Sequence, residues 1–347
     1  MNEYINVSFS CVDSGDKKNV EKIGVFLRRF ELGLDEQVDT FVVVHEDEKL
    51  IACGGIAKNI LKCIAVDPLC RGEGISAKLL TELTLLAYER QQNALFLFTR
   101  PENVPLFKES GFYPLIEIAD EVAVMENSPN RLMRYCCQLG LHRHGGKRIG
   151  SIVMNANPFT LGHRYLIEQA ASRCDWLHVF LVKEDASYFS YDERWRLLNE
   201  GVKGISNVTL HPGSDYIISR MTFPSYFIKD KKKVNYCHSQ IDLCLFRRYL
   251  APALGITHRF IGTEPFCSLT QDYNREMKRI LQEPIDNVAP LKVIELARLK
   301  VKGQPVSASK VRSLLFIGEV GKLSTLVPAS TFQFLMNKIN RQEITSA

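Results

Sequence analysis

The chain of 347 residues has no apolar run long enough to cross a bilayer. Its start, Met1-Asn-Glu-Tyr4, lacks the basic stretch and apolar core of a secretory signal. Membrane insertion and export are therefore not expected, and a cytoplasmic setting is. The net charge is only +5, small for this size, so no basic field argues for nucleic acid. It suits small anions or an acidic partner. There are ten cysteines but no Cys-x-x-Cys pair and no histidine at metal-site spacing, which argues against a zinc site. Most cysteines sit in apolar runs such as Ile51-Ala-Cys-Gly54 and Leu61-Lys-Cys-Ile64, as buried reduced thiols do. No internal repeat or low-complexity segment is present. With 46% hydrophobic and 24% charged residues, the chain has the composition of an ordinary globular protein and the length of two or three domains.

What is there centres on residues 149–171. Ile149-Gly-Ser-Ile-Val-Met154 reads as a buried parallel strand, and Leu166, Ile167, Ala170 and Ala171 fall at helical spacing. Between them, Asn155-Ala-Asn-Pro-Phe-Thr-Leu-Gly-His163 makes a polar turn. In an open α/β sheet, ligands bind beside the carboxyl end of such a strand, and the N–H groups and dipole of the next helix favour a phosphate. Thr160 and His163 can add side-chain donors to the same anion.

The turn resembles the (T/H)-x-G-H signature of the nucleotidyltransferase superfamily, in its Thr form. The second half of that signature, I-S-x-S/T-x-x-R, is matched by Val306-Ser-Ala-Ser-Lys-Val-Arg312. Two motifs in order, one α/β domain apart, are far more specific than either alone. The resemblance implies a catalytic set of Thr160, His163 and Arg312. It implies an ATP-binding set that adds Asn157, Gly162, Ser307 and Ser309, with Mg²⁺ bridging phosphate oxygens. Ser309 is expected to cap the last of these helices.

Earlier in the chain, residues 21–32 have a helical pattern, and Phe41–Val44, Leu50–Ile56 and Ile60–Val66 read as strands. Asp67-Pro-Leu-Cys-Arg71-Gly72-Glu73-Gly74 follows, then an amphipathic segment whose apolar face is Ile75, Leu79, Leu80, Leu83, Leu86 and Ala87. Strand, Arg/Gly turn and helix form a pyrophosphate cradle, although Gly72 and Gly74 also suit a plain tight turn. Arg71-x-x-Gly74-x-Ser76 resembles the coenzyme A loop of the GCN5-related N-acetyltransferases (GNAT), with Ser76 where that family prefers Gly or Ala. Leu95–Thr99 and Leu106-Phe-Lys-Glu-Ser-Gly-Phe112 complete the likeness. Arg71, Gly72 and Gly74 are thus expected to bind a CoA-like pyrophosphate.

The expected organisation is a GNAT-like α+β domain over residues 1–126, a linker over 127–148, and a Rossmann-like, doubly wound parallel-sheet nucleotidyltransferase domain over 149–347. In the last, Trp176–Val182, Asn207–His211, His258–Ile261 and Leu291–Leu296 read as strands with no hairpin signals, and 241–254 as a helix. Lys183 falls at a strand end, where it can meet a phosphate or carboxylate or simply be a surface charge. Glu264 falls at another and can contact ribose, adenine or metal. Ser190 and Glu193 have capping-box spacing, and Asp230-Lys-Lys-Lys233 reads as a solvated loop.

From residue 20 to 340, in segments such as Met154-Asn-Ala-Asn-Pro-Phe-Thr160 and Gly262-Thr-Glu-Pro-Phe-Cys267, the chain resembles the citrate lyase ligases. That resemblance implies an enzyme that makes acetyl-AMP from ATP and acetate. It then acetylates the phosphoribosyl-dephospho-CoA thiol on the acyl carrier subunit of citrate lyase. A phosphopantetheine adenylyltransferase relative fused to an acetyltransferase, and a non-catalytic scaffold for the lyase, are the alternatives. No protonated nucleophile needs a base here, because acetate is already an anion.

Overall fold

Alternation in the first strands fixes which way each faces. Val42 and Val44 enter one apolar cluster while Phe41 and Val43 enter another, so this sheet is buried on both faces. The computed structural model describes residues 7–70, 74–183, 187–218, 223, 226–228, 230–264, 267–284 and 288–341. The chain divides into two units, Met1–Leu132 with Phe223–Ile241, and Met133–Thr222 with Asp242–Ala347.

In the first unit, β1 (Val7–Asp13), α1 (Lys17–Arg28), β2 (Thr40–Glu46), β3 (Lys49–Ala57), β4 (Ile60–Val66), α2 (Ile75–Glu89), β5 (Phe96–Thr99), α3 (Val104–Glu109), β6 (Tyr113–Ile118) and β7 (Val122–Glu126) follow in order. They form a seven-stranded sheet, β1-β2-β3-β4-β5-β7-β6, antiparallel except for β4 and β5. Helix α1 begins four residues earlier than the apolar pattern suggests. Asp16 caps it by accepting from Asn19 N, and Glu31, at φ +59°, lies beyond its end. The expected linker carries a helix, α4 (Arg131–Gly140).

In the second unit, β8 (Ile149–Met154), α5 (Leu161–Ala171), β9 (Trp176–Leu181), α6 (Tyr191–Gly201) and β10 (Val208–His211) come first. Helix α7 (Lys231–Leu245) starts in the first unit. After it come a π-helical turn at Phe246–Leu250, α8 (Ala251–Leu254), β11 (His258–Gly262), α9 (Ser268–Gln282) and β12 (Lys292–Leu296). The chain ends with β13 (Lys300–Val301), β14 (Gln304–Pro305), α10 (Ala308–Phe316) and α11 (Ala329–Asn340).

Strands β8 to β12 form a parallel sheet in the order β10-β9-β8-β11-β12. The order reverses between β8 and β11, so the carboxyl ends of those two strands flank the topological switch point, where α/β sheets bind ligands. One face packs Ile152, Leu177, Val179 and Leu181 with α5, α6, α10 and α11.

Two expectations are corrected. Lys231-Lys-Lys233 is the first turn of α7 rather than a loop: Asp230 accepts from Lys232 N, and Lys233 pairs with Glu121 at 2.6 Å. A hairpin does occur in the second unit. Lys302 and Gly303 both have positive φ, the conformation of a tight two-residue hairpin turn, and they join β13 to β14.

Candidate active site

The turn after β8 is held from below before it is shaped above. Phe159 is fully buried in the core. The fully buried Arg194 of α6 donates through Nη1 to the carbonyls of Asn155 (2.9 Å) and Val182 (3.0 Å), and through Nε to Phe189 O (3.2 Å). One guanidinium thus fixes three backbone segments near the sheet rim. Sequence reading missed it, although Arg194 lies in register with buried Leu197, Leu198 and Gly201 on the face of α6. A cation on an apolar face signals a buried network. The side chain of Asn157 accepts from Phe189 N at 3.1 Å, so this residue is also structural on one side.

Helix α5 opens with an unusual capping box. Thr160 Oγ1 accepts from His163 N (3.3 Å), and Thr160 N–H donates to His163 Nδ1 (3.0 Å). Thr160 Oγ1 also lies 2.9 Å from Nδ1. With Nδ1 accepting, the ring proton is assigned to Nε2. Burial pushes the imidazole down to about 4, and the charge of Arg298 pushes the same way. At neutral pH His163 is therefore a neutral ring with one fixed N–H donor. Thr160, expected from the sequence to aim a second donor at the anion, is turned to His163 instead. It is 1% exposed and its hydroxyl is taken up by the ring and amide of His163.

The second signature segment lies against the first. A Cβ on Gly162 would meet the Val306 carbonyl at 3.0 Å, so any larger residue would press the two backbones apart by a few tenths of an ångström. Arg312 Nη1 donates to the Asn157 carbonyl and Nη2 to Ser309 Oγ at 3.2 Å. Ser307, not Ser309, caps α10. It has extended backbone and accepts from Lys310 N at 3.1 Å, whereas Ser309 lies inside the helix. The β13–β14 hairpin turns the chain back so that Val306 N–H donates to Leu299 O at 2.9 Å. This sets Arg298 and Ser307 side by side.

The remaining expected residues divide. Lys183 is half exposed and pairs with Asp215 at 3.5 Å, which ties it to the β10 side of the sheet, away from the switch point. Glu264 lies at the end of β11 but pairs with Arg298, a residue that sequence reading did not single out. Gly74 caps α2 with φ +74° and no side-chain hydrogen bond. Arg71 and Gly72 lie outside the described residues. Among the described residues no group of three His, Cys, Asp or Glu can hold a metal, and the rim carboxylate Glu264 is taken up by Arg298. These residues do not fit a resident magnesium ion. An ion carried in by triphosphate is the arrangement Mg²⁺ ordinarily uses. Among the described residues no helix is long and apolar enough to cross a membrane.

Residues 149–335 match the sequence profile of the citrate lyase ligase C-terminal domain, and residues 37–114 that of an acetyltransferase (GNAT) domain. The chain is 54% identical over 331 residues to the citrate (pro-3S)-lyase ligase of Klebsiella pneumoniae, covering 95% of this chain and 96% of that protein. It is 48% identical over 342 residues to that of Escherichia coli K12, covering 99% and 97%. A shorter likeness, 42% over 57 residues, joins 16% of this chain to 35% of the phosphopantetheine adenylyltransferase of Staphylococcus haemolyticus.

Proposed function

This chain belongs to the citrate lyase ligase family, and from that premise we propose that it activates acetate with ATP and passes the acetyl group to the thiol arm of the citrate lyase acyl carrier subunit. In the first step an acetate oxygen attacks the α-phosphorus; an O–P bond forms to give acetyl-AMP, and the bond to pyrophosphate breaks. Acetate carries no proton to remove, so the site needs positioning and charge stabilisation rather than a base. In the second step the arm's thiol loses its proton and attacks the acetyl carbonyl, and AMP leaves.

The observation that carries this is the closure of the two signature segments on each other, Gly162 against the Val306 carbonyl and Arg312 on Asn157 O. His163 supplies a neutral N–H to a phosphate oxygen, a donor that costs no reorganisation because Thr160 already holds the ring. Ser307, Ser309 and Arg312 line the other side, and Arg312 is the cation aimed by two bonds. Asn157 and Gly162 form the floor. Lys183 is left to the outer phosphates if it leaves Asp215. Mg²⁺ arrives with ATP as part of that substrate.

The first unit, a GNAT fold, holds the CoA-like arm, with its pyrophosphate at the start of α2 near Arg71, Gly72 and Gly74. Ten free thiols suit a reducing cytoplasm. The adenylyltransferase alternative has the short likeness to the Staphylococcus haemolyticus enzyme in its favour. Products separate the two. Acetate-dependent exchange of labelled pyrophosphate into ATP, followed by AMP and an acetylated carrier, is expected. A dinucleotide product without acetate dependence would replace this proposal with the alternative.

A further inference from the structure

We propose that Arg298 binds the triphosphate of ATP at the sheet rim, and that Glu264 is the residue that aims it rather than a contact to ribose or metal. This rests on the adenylation reading of the same site. Four observations lead here. Arg298 follows β12, beside the end of β11 and the switch-point crevice. The hairpin that pairs Leu299 O with Val306 N–H brings it next to Ser307, in the second signature segment.

Its guanidinium is held at two corners. Nε donates to Thr263 O, and Nη2 donates to Glu264 Oε2. Among the described residues Nη1 has no partner. The Arg298 side chain is 25% exposed against 10% for Glu264, so the carboxylate lies beneath and the cation faces outward. A planar fork fixed at two of its nitrogens is preorganised for a phosphate at the third.

Charge supplies the fourth observation. ATP brings several negative charges into a site where His163 is neutral and Lys183 is tied to Asp215, which leaves Arg312, aimed by Asn157 and Ser309, to share them with a second guanidinium. The charge of Arg298 also acts on the His163 ring, in the same direction as its burial. Glu264, meanwhile, receives Cys267 N at 3.3 Å and its carbonyl receives Gln271 Nε2 at 2.8 Å, so it is built into the start of α9. A carboxylate so placed would repel a triphosphate unless its charge were spent on the arginine above it.

The test uses the full chain and titrates ATP, with AMP as the control. Arg298→Gln is expected to weaken ATP at least tenfold and leave AMP within twofold. Arg298→Lys should recover part of the loss, since an ammonium restores charge but not the fork. Glu264→Gln should weaken ATP severalfold, and the double variant should be no weaker than Arg298→Gln alone. In proton NMR, the His163 ring of Arg298→Gln should titrate at higher pH than in the wild type. Unchanged ATP affinity in Arg298→Gln, or equal losses of ATP and AMP, overturns the assignment. If Arg298→Gln does not fold, Glu264→Gln decides: an unchanged ATP affinity there overturns it. A wild-type chain that binds ATP but shows no acetate-dependent exchange would sink the adenylation proposal while leaving Arg298 as a triphosphate residue.

Discussion

Helices α2 and α5 both begin where a buried strand gives way to a turn with glycine, yet their first turns are satisfied in opposite ways. At α5, Thr160 takes the His163 amide, the Leu161 N–H reaches Leu326 O, and the imidazole folds back on the Thr160 amide. At α2, Gly74 has positive φ and no side-chain cap hydrogen bond. Both looked like phosphate cradles as strings of residues. In the folded chain one is a turn whose Leu161 and His163 amides are taken and which presents a side-chain donor, Nε2 of His163, and the other is a helix start with no side-chain cap among the described residues. The lesson is that a helix N-terminus recognises anions either through its backbone or through a residue its backbone aims. Capping chemistry decides which.

That contrast can be broken at its strongest point. His163→Ala should lower acetate-dependent pyrophosphate exchange by a factor of hundreds or more, about 3–4 kcal/mol of lost preorganised donation. An exchange rate within threefold of wild type would remove the ring from the chemistry and leave α5 with no side-chain donor at its start.

Acid should separate the two units next. His178 Nδ1 and His211 Nε2 lie 2.9 Å apart in the second unit, and burial holds both well below the ordinary imidazole value, as it does His163. A ring kept neutral by folding contributes stability that is full above the unfolded value near 6.5. It is lost as pH falls from there towards 4, because the unfolded state takes the proton first. The loss is on the order of 2 kcal/mol for a buried imidazole by pH 5. In the first unit the lowered carboxyls of Asp16 and Asp67 contribute above the ordinary carboxylate value and are lost only below it. Urea unfolding followed by amide exchange at pH 7 and pH 5 should show the second unit weakening first. Equal weakening of both would refute this assignment.

A smaller effect is expected where the two signature segments touch. Gly162→Ala puts a methyl 3.0 Å from the Val306 carbonyl. It should cost about 1–2 kcal/mol in thermal or urea stability and slow exchange, since Ser307 must move with Val306. Unaltered exchange would show that the spacing between the segments is not critical.

Smallest of all is Gly74→Ala. A Cβ there meets nothing within 4 Å among the described residues, so the penalty is backbone strain at φ +74°, about 1 kcal/mol. Exchange should be untouched and carrier acetylation reduced. The reverse pattern would dissolve the division of labour between the units.

Where sequence reading succeeded, the signal was local. The strand β8 was bounded correctly because an apolar run ends abruptly at Asn155. The Ser190–Glu193 box was legible because both partners lie within one turn, and both hydrogen bonds are present. The Thr160–His163 box was not, because an imidazole replaces the usual Glu or Gln at the third position. Ser309 was mistaken for the cap of α10 because two serines two residues apart satisfy the same pattern, and only backbone angles separate them. Arg194 and Arg298 were missed because an arginine's value lies in what folds around it: three carbonyls from distant segments in one case, Glu264 and Thr263 in the other.

The exchange of Phe223–Ile241 into the first unit was invisible in the same way. Gly33 N–H donates to Tyr226 O at 2.6 Å across nearly two hundred positions, and Phe98 meets Phe223 edge-on. A cut at residue 126 would strip that segment of its partners.

The order of residues alone determined the alternation of elements, the two turns worth examining and the pairing of signature motifs, because apolar period and turn chemistry act between near neighbours. Tertiary structure decided which donors those turns keep for themselves and which they present. It also decided which carboxylate is bound beneath an arginine. Such choices depend on hydrogen bonds between residues far apart in the chain, and a polar group's availability is fixed only when every competitor for it has been placed.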